Sequence, residues 1–146
     1  MMWPGSTVKY GAEKTVPTYR MDWNPSITFE QRVDKLMSWI TNETNPANLA
    51  FLYFEEPDEL AHAYGPESPQ VTEMIQKLDN VTGYLVGKLK SAGIYDDVNL
   101  IFLSDHGFQE VSQKNMINIS EAVDTNFYDR YGTTPMLQIH PKKGTF

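Results

Sequence analysis

Cysteine is absent from all 146 residues, which excludes disulfides and thiolate metal sites. Long apolar runs are absent too. Nothing approaches the roughly 18 consecutive apolar residues of a membrane span, and no signal-peptide pattern opens the chain. Basic residues are few, 12 against 19 acidic, for a formal net charge of -7. That balance argues against a nucleic-acid backbone as the main partner, since such binding needs a basic face. It leaves room for a small phosphate ester bound through metal ions, because a bound cation sets the local charge. Histidine occurs only three times, and the placement of those three carries much of the functional reading. The rest is ordinary for a globular protein, at 40% hydrophobic and 21% charged, with length for one domain and one core.

Residues 1 to about 25 are rich in Pro, Gly and Thr and read as loop. From Ser26 to Thr41 the spacing predicts a helix. Thr28 and Gln31 form a candidate capping box, and Phe29, Val33, Leu36, Met37 and Ile40 fall on one face. A second helix is expected from Ser68 to Ala92, with Val71, Met74, Ile75, Leu78, Leu85 and Leu89 as its stripe and Gly93 as its stop. The unbroken apolar runs Leu49–Phe54 and Val98–Leu103 read as strands covered on both faces, and Thr134–Ile139 as a third strand. Helix, strand, helix, strand in that order implies an α/β fold with a parallel sheet between helices. Both strands would then release their C-terminal ends at one sheet edge, where open α/β folds bind ligands.

Each of those strand ends delivers an aspartate and a histidine: Asp58 and His62 after the first, Asp105 and His106 after the second. Carboxylate plus imidazole suits zinc or a similar divalent ion, and two such pairs suggest two metals. Two ions roughly 3.5–4 Å apart can clamp the attacking and leaving oxygens of phosphoryl transfer. The Asp-x-x-x-His spacing fits one helical turn or a tight loop. The plainer alternative is a turn or cap for Asp105-His106 and a solvated pair for Asp58 and His62. Glu55 and Glu56 read as solvated charges, with support of the neighbouring ligands as the alternative, and His140 as a strand-end histidine. Three N-glycosylation sequons begin at Asn42, Asn80 and Asn118, while Pro25 excludes Asn24.

Beyond spacing, an ordered set of motifs runs through the chain: Trp3-Pro4-Gly5-Ser6, Phe29-Glu30-Gln31-Arg32, Glu55-Glu56-Pro57-Asp58, His62, Gly65-Pro66 and Ser104-Asp105-His106-Gly107. Together these resemble the ectonucleotide pyrophosphatase/phosphodiesterase family of the alkaline-phosphatase superfamily. The resemblance implies a largely parallel sheet between helices, with residues 1–146 as part of a phosphodiesterase catalytic domain. It implies two zinc ions in the complete protein, Asp58 and His62 serving one and Asp105 and His106 the other. The family's nucleophilic threonine, its first aspartate ligand and a further histidine have no counterpart in these residues, so the chain alone is expected to be inactive. Trp23 falls near the family's base-stacking aromatic, with packing of its loop as the alternative. Ala61 stands where the family commonly has glycine, and Thr7 where several relatives carry an acid.

The expected partner is a small nucleotide or other phosphodiester substrate, in an extracellular, secreted or membrane-anchored protein held to any membrane by segments outside this chain. The rival readings are a different hydrolase of the same superfamily and a non-catalytic relative acting as a binding module.

Overall fold

In the computed structural model of the chain, residue 2, residues 5–132 and residues 136–144 are described. The chain divides into two compact units, Met1–Glu110 and Val111–Phe146.

The first unit is organised by helices whose ends are written into the sequence. Helix α1 spans Phe29–Ile40. Thr28 caps it by accepting from the Gln31 amide at 3.2 Å, while the Gln31 side chain accepts from the Thr28 amide at 2.9 Å. This is the expected reciprocal box, which satisfies two otherwise orphaned N–H groups. Helix α2 is short, Asp58–Tyr64. Helix α3 spans Pro69–Ser91, with Ser68 as its cap and proline in its first turn. At its end Gly93 adopts a φ of 72°, the Gly93 amide donates to Lys90 O, and the Ile94 amide donates to Leu89 O. Two such bonds close a Schellman motif, and they require the left-handed backbone that glycine takes without strain.

Helices α1 and α3 bury their stripes against each other. The core joins Met2, Phe29, Val33, Leu36, Met37 and Trp39 to Val81, Leu85 and Leu89. Two assignments within the stripes change. Ile75 is exposed, and Val81, six residues further on near the helix centre, is buried. Trp39 is buried although it lies off the expected face, because the Tyr19 ring stacks on it with centroids 5.8 Å apart.

Of the α/β expectation the helices stand, whereas the parallel sheet does not form among the described residues. Residues 98–103 carry no ladder, and Ile101 and Leu103 are 82% and 88% exposed. Residues 49–54 make a single isolated parallel bridge, Leu52 to Met2, in which the Met2 amide donates to Phe51 O at 2.9 Å. The cause is the non-local nature of a strand. A helix closes its own hydrogen bonds, whereas an extended segment becomes a strand only when another backbone pairs with it.

The sheet that does form lies in the second unit and is antiparallel. β1 (Tyr128–Tyr131) pairs with β2 (Gln138–Pro141), setting Asp129 opposite His140 and Arg130 opposite Ile139. Of the expected third strand, residues 134 and 135 lie outside the described residues and Met136 and Leu137 are not in a ladder, while the observed strand extends to Pro141.

Candidate functional site

The site begins at a buried ion pair. Arg32 on α1 is 4% exposed. Its two terminal nitrogens grip both Glu55 oxygens, at 2.6 and 2.9 Å, and Nη1 also donates to Tyr53 O at 3.4 Å. Such a fork-to-fork pair is geometrically specific. The guanidinium holds the Glu55 carboxyl below the ordinary glutamate range, and burial opposes it. Glu55 is therefore a structural anchor rather than the solvated charge its sequence setting suggested. Glu56 is committed as well, its carboxylate accepting from the Leu60 amide at 3.2 Å in the first turn of α2.

Those contacts fix where α2 starts. Asp58 opens the helix and His62 follows one turn later, so their side chains share a face, with His62 Nε2 3.6 Å from Asp58 Oδ2. Ala61 between them is buried in the helix, so the methyl group that replaces the common glycine is accommodated. Gly65, at a φ of 89°, ends α2 and turns the chain toward α3.

The second pair arrives from residues 104–108. The Asp105 carboxylate accepts from the His106 amide at 3.1 Å, and the Ser104 hydroxyl donates to His106 O. His106 Nδ1 lies 3.0 Å from Gly107 O. An Nδ1–H donated there leaves Nε2 to face the carboxylates. His106 Nε2 is 3.5 Å from Asp58 Oδ1 and 3.9 Å from Asp105 Oδ2. All four residues are thus brought together, with the Asp58 carboxylate between two imidazoles.

Two details bear on what this cluster could hold. Asp58 Oδ1 is a buried oxygen with no hydrogen-bond donor, a costly state for a carboxylate unless a cation meets it. Two donors bonded to one tetrahedral zinc at about 2.0–2.1 Å lie about 3.3 Å apart, close to the two Asp58–imidazole separations. The donor types and the Asp58 contacts therefore fit a divalent ion. Even so, among the described residues no group of three or more His, Cys, Asp or Glu side chains is arranged to hold a metal ion.

Sequence reasoning missed two neighbours. Phe108 sets its ring edge-on to both imidazoles, with centroids 5.2 Å from His62 and 5.5 Å from His106. Its place two residues after His106 was the available signal. Tyr53 was read as part of an apolar strand. Burial pushes its phenol up, and the negative charges of Asp105, Asp58, Glu55 and Glu59 push it further, so it remains a protonated phenol at neutral pH.

The other candidates are dispersed. Trp23 is 61% exposed. Asn42 closes the turn after α1, its Oδ1 accepting from the Thr44 and Asn45 amides. Asn80 is exposed on α3. Asn118 caps a short turn of helix, Ile119–Ala122, and its amide donates to Glu121. His140, on β2, packs edge-on against Tyr131. A groove of about 590 Å³ in the first unit, lined by Tyr10, Tyr19, Trp39 and Phe51 among others, includes none of the four Asp and His residues.

Carboxylates and imidazoles thus cluster where two extended segments end. Residues 1–145 match the family "Type I phosphodiesterase / nucleotide pyrophosphatase", and the chain belongs to that family. It is 39% identical over 145 residues to human ectonucleotide pyrophosphatase/phosphodiesterase family member 5, covering 99% of this chain and 30% of that protein. It is 37% identical to human bis(5'-adenosyl)-triphosphatase ENPP4, covering 97% and 31%. Among solved structures it resembles murine ectonucleotide pyrophosphatase/phosphodiesterase 5 as an inactive variant in complex with AMP. The TM-score there is 0.77 at 41% identity, over 99% of this chain and 38% of that one. The chain thus spans about a third of the length of the relatives it matches. No described helix is long and apolar enough to cross a membrane.

Proposed function

We propose that the protein carrying this chain is a zinc-dependent hydrolase of phosphodiester or pyrophosphate bonds in nucleotides or related esters. The observation that carries the reading is the Asp58 carboxylate lying 3.5–3.6 Å from the imidazoles of His106 and His62, with a buried oxygen that no hydrogen bond satisfies. Asp58 and His62 would hold one zinc, and Asp105 and His106 the other. Ions bound there would supply Lewis acidity toward a phosphoryl oxygen and a bound water of lowered pKa.

This chain's own part is positioning. The hydrogen bond from Nδ1–H to Gly107 O keeps His106 Nε2 aimed at the site, Phe108 limits rotation of both imidazoles, and the Arg32–Glu55 pair fixes the start of α2. Trp23 offers an exposed ring for a nucleobase. AMP bound to a 41% identical relative supports a nucleotide ligand. The nucleophilic threonine and the remaining ligands belong, on this reading, to residues outside the chain. The name ectonucleotide pyrophosphatase/phosphodiesterase on one relative supports a secreted or cell-surface protein, with Asn42, Asn80 and Asn118 as glycan acceptors.

A second reading, nucleotide binding without turnover, is favoured for this chain alone, because its described residues do not close a three-donor metal set.

The test compares the full-length protein on a nucleotide phosphodiester, a phosphomonoester and a phosphonate. The reading predicts preferential, zinc-dependent cleavage of the diester. Preference for the monoester or the phosphonate would move the protein to another branch of the superfamily, and binding without cleavage of any of the three would favour a non-catalytic relative.

A further inference from the structure

The two Asp–His pairs are tied to each other by contacts that cross between them. The Asp58 carboxylate of the first pair faces the His106 imidazole of the second, 3.5 Å away. Phe108, from the segment that carries the second pair, reaches back to the His62 imidazole of the first, with ring centroids 5.2 Å apart at an interplanar angle of 74°. The same phenyl ring packs on His106, at 5.5 Å and 61°. One side chain therefore meets both imidazoles in the tilted geometry that aromatic pairs favour.

The imidazoles lean on that ring unequally. His106 has a further restraint, its Nδ1 lying 3.0 Å from Gly107 O. The His62 side chain is 72% exposed and is met by Asp58 Oδ2 at 3.6 Å and by the Phe108 ring. A ligand free to turn must be ordered when a cation binds, and that ordering weakens binding. Phe108 is itself 39% exposed, so shortening its side chain does not open a cavity in the core.

We propose that Phe108 is a positioning residue shared by the two pairs. One ring sets both imidazoles, so metal affinity at each pair depends on the same side chain, more steeply at His62 than at His106. This deepens the proposed function and rests on its assignment of Asp58–His62 and Asp105–His106 to separate zinc ions.

Zinc dissociation constants test it, determined by competition with a chelating dye on the full-length protein. Two backgrounds each retain one pair: Asp105→Asn leaves Asp58 and His62, and His62→Ala leaves Asp105 and His106. Phe108→Leu is expected to weaken zinc about tenfold in the first, the low end for groups that orient metal ligands, and about threefold in the second. Phe108→Tyr keeps the ring and is expected to stay within about twofold of each parent, which separates positioning from a fold defect. Unchanged affinity on Phe108→Leu in either background, a larger loss at the His106 pair, or equal losses for Phe108→Tyr and Phe108→Leu would each overturn the proposal. Proton NMR of the metal-free protein, with histidine ring carbons labelled, needs neither zinc nor turnover. The phenyl ring is expected to displace the carbon-bound imidazole proton resonances of His62 and His106, and Phe108→Leu to return them. Undisplaced resonances in the wild type would overturn the proposal. Displaced resonances in a protein that binds no zinc would support the shared positioning and overturn only the zinc reading of the site.

Discussion

At the scale of the residue, charge placement decides both stability and chemistry. The Glu55 carboxyl is lowered chiefly by its hydrogen bonds from Arg32. A carboxyl depressed in the folded state contributes stability that is complete above its unfolded pKa and is lost as pH falls through the folded value. Wild type should therefore lose stability below the ordinary glutamate range, and Glu55→Gln should lose that part of the pH dependence. Chemical denaturation at a series of acid pH values checks this, and parallel pH profiles for the two proteins would refute it. For His106, replacement by alanine in the full-length protein should lower diester turnover by orders of magnitude with little change in thermal stability, because its side chain is 53% exposed. Near-normal turnover would remove His106 from the site.

The elements differ in how far they could be read in advance. Helices α1 and α3 were legible to within a few residues, because the Thr28–Gln31 box, the Ser68 cap and Gly93 are local signals that act through adjacent backbone groups. Val98–Leu103 was not, because nothing in an apolar hexamer specifies which backbone will pair with it. The Asp58–His62 spacing was legible for the same reason as the helices, since a single turn brings i and i+4 together. Its approach to His106 depends on tertiary contacts that spacing does not encode, and so does the role of Phe108. The α1–α3 interface gives a stability prediction. Leu89 is 2% exposed in the core, and Leu89→Ala should cost about 2–5 kcal/mol in a denaturant titration. A loss below about 1 kcal/mol would mean that the interface is not closely packed.

For the whole molecule, exposed apolar surface is the main consequence of the unformed sheet. Ile101, Phe102 and Leu103 in the first unit are 65–88% exposed, and Val111 and Ile117 in the second are 89% and 82% exposed. Apolar runs with unpaired backbone recruit other surfaces. The isolated 146-residue chain should accordingly bind a hydrophobic dye and self-associate in a concentration-dependent way. A monodisperse, dye-silent chain would show that these segments are covered in solution.

The central claim is that Asp58, His62, Asp105 and His106 are zinc ligands, and metal stoichiometry on the full-length protein tests it most directly. Elemental analysis after purification without chelator should find two zinc ions per wild-type chain, and fewer after Asp58→Asn or Asp105→Asn with the fold intact by circular dichroism. Two zinc ions retained in both variants would contradict the account.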